Sequence, residues 1–310
     1  METAIELTNV IKKYGKTNVV NELTLNVEKG EIFGLLGPNG AGKTTTINLI
    51  TGLKKRTSGM VKVLGIDPEK NPRKLYKRIG LVPQETNIYS DLNAVDNLKH
   101  HAALYCEDLG LMDQDIEKVL KLMTLWERRK DLVHTYSGGM KRRLALSRTL
   151  LHNPDIILFD EPTLGVDVQV RHVLWNHIKI LQSEGKTFII STNNMVEADQ
   201  LCNRLVIIDH GKAIKSGSPE ELKSDLKRDI VTLKTKPKIE NPNSFLDLWQ
   251  PRMVSESQNG QIKFEIENAE LVAGDMVKHI IQSYKLESIH IARPTLDDVF
   301  LFHTGRALRD

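Results

Sequence analysis

One short run has the residue types and spacing needed to bind a phosphate: Gly37-Pro38-Asn39-Gly40-Ala41-Gly42-Lys43-Thr44-Thr45. It matches the pattern G-x-x-x-x-G-K-[ST] at every fixed position. Its glycines let backbone N–H groups turn inward around phosphate oxygens, and a following helix would present its positive end to them. We expect Lys43 to reach the β- and γ-phosphates of a nucleotide and the Thr44 hydroxyl to hold Mg²⁺. Residues 37–45 are named the phosphate loop.

A glycine-rich turn that binds nothing is the alternative for the phosphate loop. An apolar run at residues 32–36 precedes the loop, and a helical pattern at residues 43–53 follows it. Strand, glycine loop and helix in this order are the context that a phosphate loop requires. The nucleotide-binding interpretation is therefore favoured.

Two adjacent acids, Asp160 and Glu161, follow an apolar strand pattern at residues 156–159. An acid at the carboxyl end of a central parallel strand faces the ligand crevice of an α/β sheet. We expect Asp160 to bind Mg²⁺ through water, and Glu161 to orient or deprotonate an attacking water. A polar strand end without chemistry is the alternative, and the phosphate loop in the same chain favours the catalytic interpretation.

A second anion-binding surface is predicted where Ser137-Gly138-Gly139 begins a helical pattern. A serine hydroxyl and the free N–H groups of a helix start can together bind an anion. The same serine is typical of an ordinary N-terminal cap. In isolation, the segment favours the cap.

The chain around these motifs alternates strand and helix patterns. Strand patterns lie at residues 5–10, 19–27, 32–36, 61–64, 79–82, 156–159, 187–191 and 204–209. Helical patterns lie at residues 43–53, 91–105, 115–129, 139–152, 168–184 and 195–202. The alternation predicts an α/β fold with a largely parallel sheet. Helical spacing of apolar residues between about 85 and 135 predicts a helical insertion in that core.

A domain boundary is predicted at residues 216–219, where Ser-Gly-Ser-Pro forms a turn cluster. Beyond it, strand and helix patterns alternate as βαββαβ, with Asn259-Gly260 as a hairpin turn between the middle strands. This order predicts a small α+β accessory domain of the ferredoxin-like type. We therefore expect one domain at residues 1–217 and a second at residues 218–310.

The composition narrows the class of protein. The chain has 310 residues and a formal net charge of +3, with acids and bases mixed throughout, so no nucleic-acid partner is expected. Its two cysteines, Cys106 and Cys202, are far apart and predict neither a disulfide framework nor a zinc site. The start of the chain predicts no secretory signal, and no apolar run approaches the ~20 residues needed to cross a bilayer. A membrane path for transport would have to come from another polypeptide.

Taken together, the phosphate loop, Ser137-Gly138-Gly139 and Asp160-Glu161 resemble the nucleotide-binding subunit of an ABC transporter. The serine-glycine-glycine segment matches the family signature, although Tyr136 and Met140 replace its usual Leu and Gln. The resemblance covers residues 1–217. It implies a P-loop nucleotide-hydrolase core with an antiparallel β subdomain and a helical subdomain.

The resemblance also implies roles for residues outside these motifs. Gln84 falls where the family places a glutamine that contacts Mg²⁺ and senses the membrane partner, and Tyr14 falls where an aromatic residue stacks on adenine. Asp167 matches a loop that crosses the dimer interface. By the same resemblance, Ser137 and Gly139 would touch the γ-phosphate of a nucleotide bound by the other subunit.

One position departs from the family pattern. After the strand pattern at residues 187–191 the family has a histidine that contacts the γ-phosphate, and here Asn193 stands in its place. An asparagine amide can donate a hydrogen bond but cannot become cationic or exchange a proton. Two interpretations follow: a harmless substitution with Glu161 carrying catalysis, or a slow ATPase that lingers as a closed dimer.

The resemblance implies an ATPase that uses ATP and Mg²⁺, forms an ATP-dependent homodimer and powers a separate membrane permease from the cytoplasmic face of the membrane. Residues 294–310 are similar to the tails of daunorubicin-type drug-resistance exporters, which implies export of a drug, lipid or other small molecule. The local alternative for this tail is an amphipathic helix packed on the accessory domain. Two further functions stay open: a soluble ABC ATPase in cofactor assembly, and an ATP-gated dimer with weak hydrolysis.

Overall fold

The structure is a computed structural model that describes residues 2–105, 112–163, 168–256, 261–267 and 269–305. The chain divides into two compact units, Met1–Ser218 and Pro219–Ala307. The first unit contains two sheets and the second contains one, and each unit has its own buried apolar core.

The first unit contains strands and helices in alternation. Its strands are β1 (Thr3–Tyr14), β2 (Thr17–Glu28), β3 (Ile32–Leu36), β4 (Ser58–Val63), β5 (Ile79–Val82), β6 (Ile156–Asp160), β7 (Thr187–Thr192), β8 (Arg204–Asp209) and β9 (Lys212–Gly217). Its helices are α1 (Lys43–Ile50), α2 (Pro72–Tyr76), α3 (Ala94–Tyr105), α4 (Met112–Leu122), α5 (Gly138–Leu150), α6 (Val168–Ser183) and α7 (Met195–Leu201).

The second unit continues the alternation in a shorter chain. Its elements are α8 (Pro219–Ser224), β10 (Asp229–Lys236), α9 (Pro242–Leu246), β11 (Arg252–Glu256), β12 (Gln261–Ile266), α10 (Ala269–Ser283), β13 (Lys285–Ala292) and α11 (Leu296–Thr304).

The central sheet of the first unit has the strand order β5-β6-β7-β3-β8-β9. Its first five strands run parallel, and β9 is antiparallel to β8. Strands β3, β6 and β7 are buried at every residue, which is typical of parallel strands covered on both faces. The predicted α/β fold with a largely parallel sheet is confirmed.

The order of the central strands determines which loops meet. Strands β6, β7 and β3 are neighbours, so their carboxyl ends lie side by side at one edge of the sheet. The phosphate loop follows β3, Asp160-Glu161 closes β6, and Asn193 follows β7. Three segments distant in sequence are thus brought to one crevice.

A separate antiparallel sheet, in the order β2-β1-β4, lies beside this crevice. The backbone ties this sheet to the phosphate loop. The Asn21 N–H donates to the Gly211 carbonyl at 2.9 Å, and the Gly211 N–H donates to the Ala41 carbonyl at 3.0 Å. The antiparallel subdomain implied by the family resemblance is therefore present and anchored to the loop.

The predicted helical insertion contains α3 and α4, with both starts and the end of α4 misplaced: the predicted ranges are 91–105 and 115–129. Helix α3 begins at Ala94, where the Asn93 side-chain oxygen accepts from the Asp96 N–H at 2.9 Å and caps the helix start. Helix α4 ends at Leu122 rather than at residue 129. Thr124 adopts a left-handed φ of 54°, which an α-helix cannot continue through, and a short 3₁₀ turn follows.

Strand β9 and helix α2 are elements that the sequence patterns missed. Strand β9 pairs with β8 at the rim of the sheet, and its residues are exposed or half-buried. An edge strand with few buried positions lacks the apolar alternation that identifies a strand in sequence.

The second unit has a four-stranded antiparallel sheet in the order β11-β12-β10-β13. With helices α9 and α10 in the connections, the chain order is βαββαβ and the spatial order of the strands is 2-3-1-4. This confirms the ferredoxin-like topology. The predicted Asn259-Gly260 turn lies outside the described residues.

None of the helices in the described part of the chain is long and apolar enough to span a membrane.

The core of the second unit provides a stability prediction. Phe264 on β12 is fully buried in that core, whereas Phe302 on α11 is 64% exposed. Phe264→Ala should lower the free energy of unfolding of this unit by about 3–5 kcal/mol, because it leaves a cavity. Phe302→Ala, the matched control, should cost less than about 1 kcal/mol.

Hydrogen exchange of the amides in β10 and β12 measures both effects. Equal protection of these strands in the two variants would contradict the assignment of Phe264 to the core of the unit.

Candidate functional site

The phosphate loop joins β3 to α1 through a backbone that excludes side chains. Gly40 and Gly42 have φ of 82° and 105°, which residues with a Cβ rarely adopt. A Cβ on Gly37 would lie 2.2 Å from the Ile208 carbonyl oxygen, and a Cβ on Gly42 would lie 2.6 Å from that of Val19. The loop is therefore packed tightly on its protein side.

Helix α1 begins at the end of this loop without a side-chain cap from the described residues. The first N–H bonded within the helix is that of Thr46, which donates to the Gly42 carbonyl at 2.9 Å. The N–H groups of Lys43, Thr44 and Thr45 precede it and have no intrahelical acceptor. Together with the positive end of the helix, they form a site for an anionic oxygen.

Lys43 is a buried cation at the centre of the site, only 4% exposed. Its Nζ donates to the Gly37 carbonyl at 2.7 Å and to the Pro38 carbonyl at 3.2 Å. The Glu161 Oε1 lies 3.5 Å from the same nitrogen. Burial lowers the pKa of Lys43, while the charges of Glu161 and Asp160 act in the opposite direction. A phosphate oxygen would compensate this desolvated ammonium.

Asp160 connects the strand ends to the phosphate loop. Its carboxylate is buried, and Oδ1 accepts a hydrogen bond from the Thr44 hydroxyl at 3.1 Å and a short one from the Ser191 hydroxyl. A hydroxyl and a carboxylate in contact, at the mouth of an anion site, supply the oxygen ligands that Mg²⁺ prefers. The residues present therefore fit the ion.

Glu161 has an uncommon backbone conformation. Its φ is 50°, in the left-handed region that non-glycine residues seldom occupy. Its N–H donates to the Ser191 carbonyl at 3.0 Å, which holds this turn against the neighbouring strand. The turn places the carboxylate, 11% exposed, beside the Lys43 ammonium. Strain of this kind concentrates at functional sites.

Ser191 is a residue of the site that the sequence analysis missed. It contacts both the carboxylate of Asp160 and the backbone of Glu161. The β6–β7 pairing places it directly opposite Asp160. Only the strand order reveals this neighbour, because Ser191 lies in no recognisable motif.

The Ser137-Gly138-Gly139 segment begins α5 as a capped helix. The Ser137 Oγ accepts from the Met140 N–H at 3.3 Å. A Cβ on Gly139 would lie 2.3 Å from a Val170 methyl carbon, so packing requires this glycine. A Cβ on Gly138 would meet nothing within 4 Å. Packing within one chain therefore does not explain why residue 138 is a glycine. Without a side chain, its backbone is accessible to a ligand.

Within the part of the chain that the structure describes, no hydrogen bond or ion pair joins this segment to the phosphate loop. The two predicted anion sites are thus separate features of one chain.

The remaining predicted residues lie at different places in the first unit. Tyr14 is 45% exposed at the end of β1, with the Lys12 ammonium 4.8 Å from its ring centroid. Gln84 is exposed two residues after β5. Asn193 is half-buried after β7. Asp167 lies outside the described residues.

Asn193 and its neighbour have different surroundings. The Asn194 side chain caps α7 by accepting from the Glu197 N–H at 3.1 Å. Asn194 is therefore the cap of α7, and Asn193, directly after β7, has no role in capping that helix.

Comparison with known proteins identifies both units. Residues 20–164 match the family model described as "ABC transporter". Residues 217–304 match the model described as "ATP-binding protein DrrA1-3-like, C-terminal domain".

Two curated relatives span the whole chain. The linearmycin resistance ATP-binding protein LnrL of Bacillus subtilis is 35% identical over 311 residues, covering 99% of this chain and all of the relative. The Nod factor export ATP-binding protein I of Cupriavidus metallidurans is 36% identical over 314 residues, covering both chains completely.

Solved structures match about 70% of the chain. An ATP-binding subunit of an ABC transporter has a TM-score of 0.65 and 25% identity, covering 72% of this chain and 93% of its own. A dimeric ATP-binding cassette in a post-hydrolysis state, bound to ADP and Pi, has a TM-score of 0.63 and 27% identity, covering 69% and 98%. This chain belongs to the family of ATP-binding subunits of ABC transporters.

Proposed function

We propose that this chain hydrolyses ATP to power a separate membrane permease that exports its substrate. The observation that carries the proposal is the buried Lys43 ammonium at the phosphate loop, beside the Glu161 carboxylate at 3.5 Å. The names of the two full-length relatives, a resistance protein and an export protein, support the direction of transport. We assign ATP binding to residues 1–217 and an accessory role to residues 218–310.

The roles within the nucleotide site follow from its chemistry. The phosphate loop and the start of α1 would bind the phosphates, and Tyr14 would stack on the adenine. Thr44, Asp160 and Gln84 would hold Mg²⁺, which when bound neutralises charge on the β- and γ-phosphates. Glu161 would accept a proton from, or orient, the attacking water.

A second copy of the chain would complete the site. In the partner copy, the start of α5 would face the γ-phosphate. Ser137 would supply its hydroxyl, and Gly138 an unobstructed backbone. The dimeric cassette among the similar structures supports this arrangement. Two ATP molecules would then lie between two head-to-tail copies.

Coupling to the permease would use the helical region at residues 85–135. In our proposal the dimer works at the cytoplasmic face of the membrane. Closure around ATP moves the helical region against the permease, and loss of the γ-phosphate reopens the pair.

Asn193 supports slow turnover in this dimer. Its amide can donate to a phosphate oxygen but carries no charge, so a charge-assisted contact worth on the order of 1–2 kcal/mol is lost relative to a histidinium. An ATP-gated dimer with weak hydrolysis is the second candidate function, and Asn193 is the residue that favours it.

Glu161→Gln should trap the ATP-bound dimer. The amide keeps the shape of the carboxylate but cannot accept the proton, so phosphate release should fall at least about 100-fold. Light scattering with saturating Mg-ATP should then give the mass of two chains, and the mass of one without nucleotide.

The double variant Lys43→Ala/Glu161→Gln is the control and should remain monomeric under the same conditions. A Glu161→Gln chain that stays monomeric with saturating Mg-ATP would count heavily against the proposed dimer.

Asn193→His should raise the rate of phosphate release about tenfold, because it restores a charge-assisted contact. Asn194→His is the matched control. It removes a helix cap rather than a γ-phosphate contact, so no gain is expected. Equal release rates for the native chain and Asn193→His would show that Asn193 does not limit turnover.

A further inference from the structure

Arg142, on α5, makes an unusual set of contacts close to the nucleotide site. Its Nε donates to the Pro162 carbonyl at 3.0 Å, and Nη2 donates to the Asp160 carbonyl at 3.0 Å. Its Nη1 donates to the Pro83 carbonyl at 2.6 Å and to the Gln84 carbonyl at 3.1 Å. One guanidinium thus binds four backbone oxygens in two segments distant in sequence.

These four carbonyls lie where two neighbouring strands separate. Strands β5 and β6 pair in parallel as far as Val82 and Phe159. Immediately beyond, the chain leaves the ladder at Pro83-Gln84 on one side and at Asp160–Pro162 on the other. Carbonyls at the end of a ladder need other donors where they are buried, as on Asp160 and Pro162. The planar, five-donor fork of an arginine can reach both segments at once.

The contacts serve geometry rather than charge pairing. Arg142 is 5% exposed, and it forms no ion pair with a carboxylate among the described residues. Burial lowers the pKa of its guanidinium to about 10, while the more distant charges of Glu197 and Asp160 oppose that shift. A buried cation without a direct ion pair is costly to maintain. What it provides is a fixed spacing between the Gln84 segment and the Asp160-Glu161 turn.

We propose that Arg142 is a positioning residue for ATP hydrolysis, which fixes the Gln84 segment and the catalytic Asp160–Pro162 turn in one spatial register with the start of α5. This inference rests on the proposed function. It adds a physical link between three parts of the site: the Ser137–Gly139 surface, the Gln84 segment and the Glu161 carboxylate. A shift of α5 on dimer closure would move both strand ends together.

Arg142→Lys tests the link, because it keeps the charge but loses the fork. The kcat for ATP hydrolysis should fall about ten- to hundredfold, as expected when a reacting group is misplaced by about 1 Å. The Kd for ADP without Mg²⁺, measured by titration calorimetry, should change by less than about threefold, because Arg142 contacts no residue of the phosphate loop.

Arg143→Lys is the matched control on the same helix. Its guanidinium bonds the Met123 carbonyl at 2.8 Å and the Thr124 residue, away from the strand ends. Its kcat should stay within about threefold of the native value. Equal losses of kcat in the two variants would overturn the assignment to Arg142.

A double-mutant cycle separates positioning from general destabilisation. If Arg142 acts through Glu161, adding Arg142→Lys to Glu161→Gln should change the residual rate by less than about twofold, because the step that it supports is already lost. Independent, multiplicative losses would overturn the proposal.

If Arg142→Lys is less stable than the native chain, hydrogen exchange distinguishes local misplacement from general destabilisation. We expect faster exchange only in the segments at residues 83–86 and 160–163, with an unchanged phosphate loop. Faster exchange throughout the first unit would assign Arg142 a structural role and overturn the proposal. A native chain that neither binds nor hydrolyses Mg-ATP would instead refute the proposed function itself.

Discussion

The site depends on one buried charge, the ammonium of Lys43, held between backbone carbonyls and the Glu161 carboxylate. A desolvated cation of this kind is tolerated only where its surroundings are fixed. Tight packing of the phosphate loop provides that rigidity, because Gly37 and Gly42 leave no room for a Cβ. The parallel strands β6, β7 and β3 then bring Asp160 and Glu161 to the same point. In the function that we propose, phosphate binding, metal ligation and proton acceptance would thus be distributed over adjacent strand ends.

The second constraint is the separation of the two predicted anion sites within the described part of one chain. The start of α5 has the chemistry of an anion site, but no contact in the described residues joins it to the phosphate loop. A side chain would fit at Gly138 without a clash, whereas at Gly139 it would clash with Val170. A surface suited to phosphate and unused within one chain fits the head-to-tail dimer that we propose. Arg142, on the same helix, would connect that surface to the catalytic strand ends.

The sequence could predict those site residues that lie together in contiguous motifs. The phosphate loop and the acid-tipped strand have their key side chains in adjacent residues, and the structure places Thr44 in contact with Asp160 and Lys43 beside Glu161. The parallel sheet and the ferredoxin-like unit follow from element order, which periodicity reveals. Ser191 and Arg142 were missed because their roles depend on which strands are neighbours, and strand order is not encoded in any single segment.

Complementation between two inactive variants tests the shared site most directly. Lys43→Ala disables the phosphate loop of a chain, and Ser137→Phe blocks its α5 surface, so each alone should lack hydrolysis. In a head-to-tail heterodimer, one of the two sites combines an intact Lys43 with an intact Ser137. An equimolar mixture should therefore recover up to about one quarter of the native rate of phosphate release. A mixture as inactive as its components, while both chains remain folded, would contradict the account.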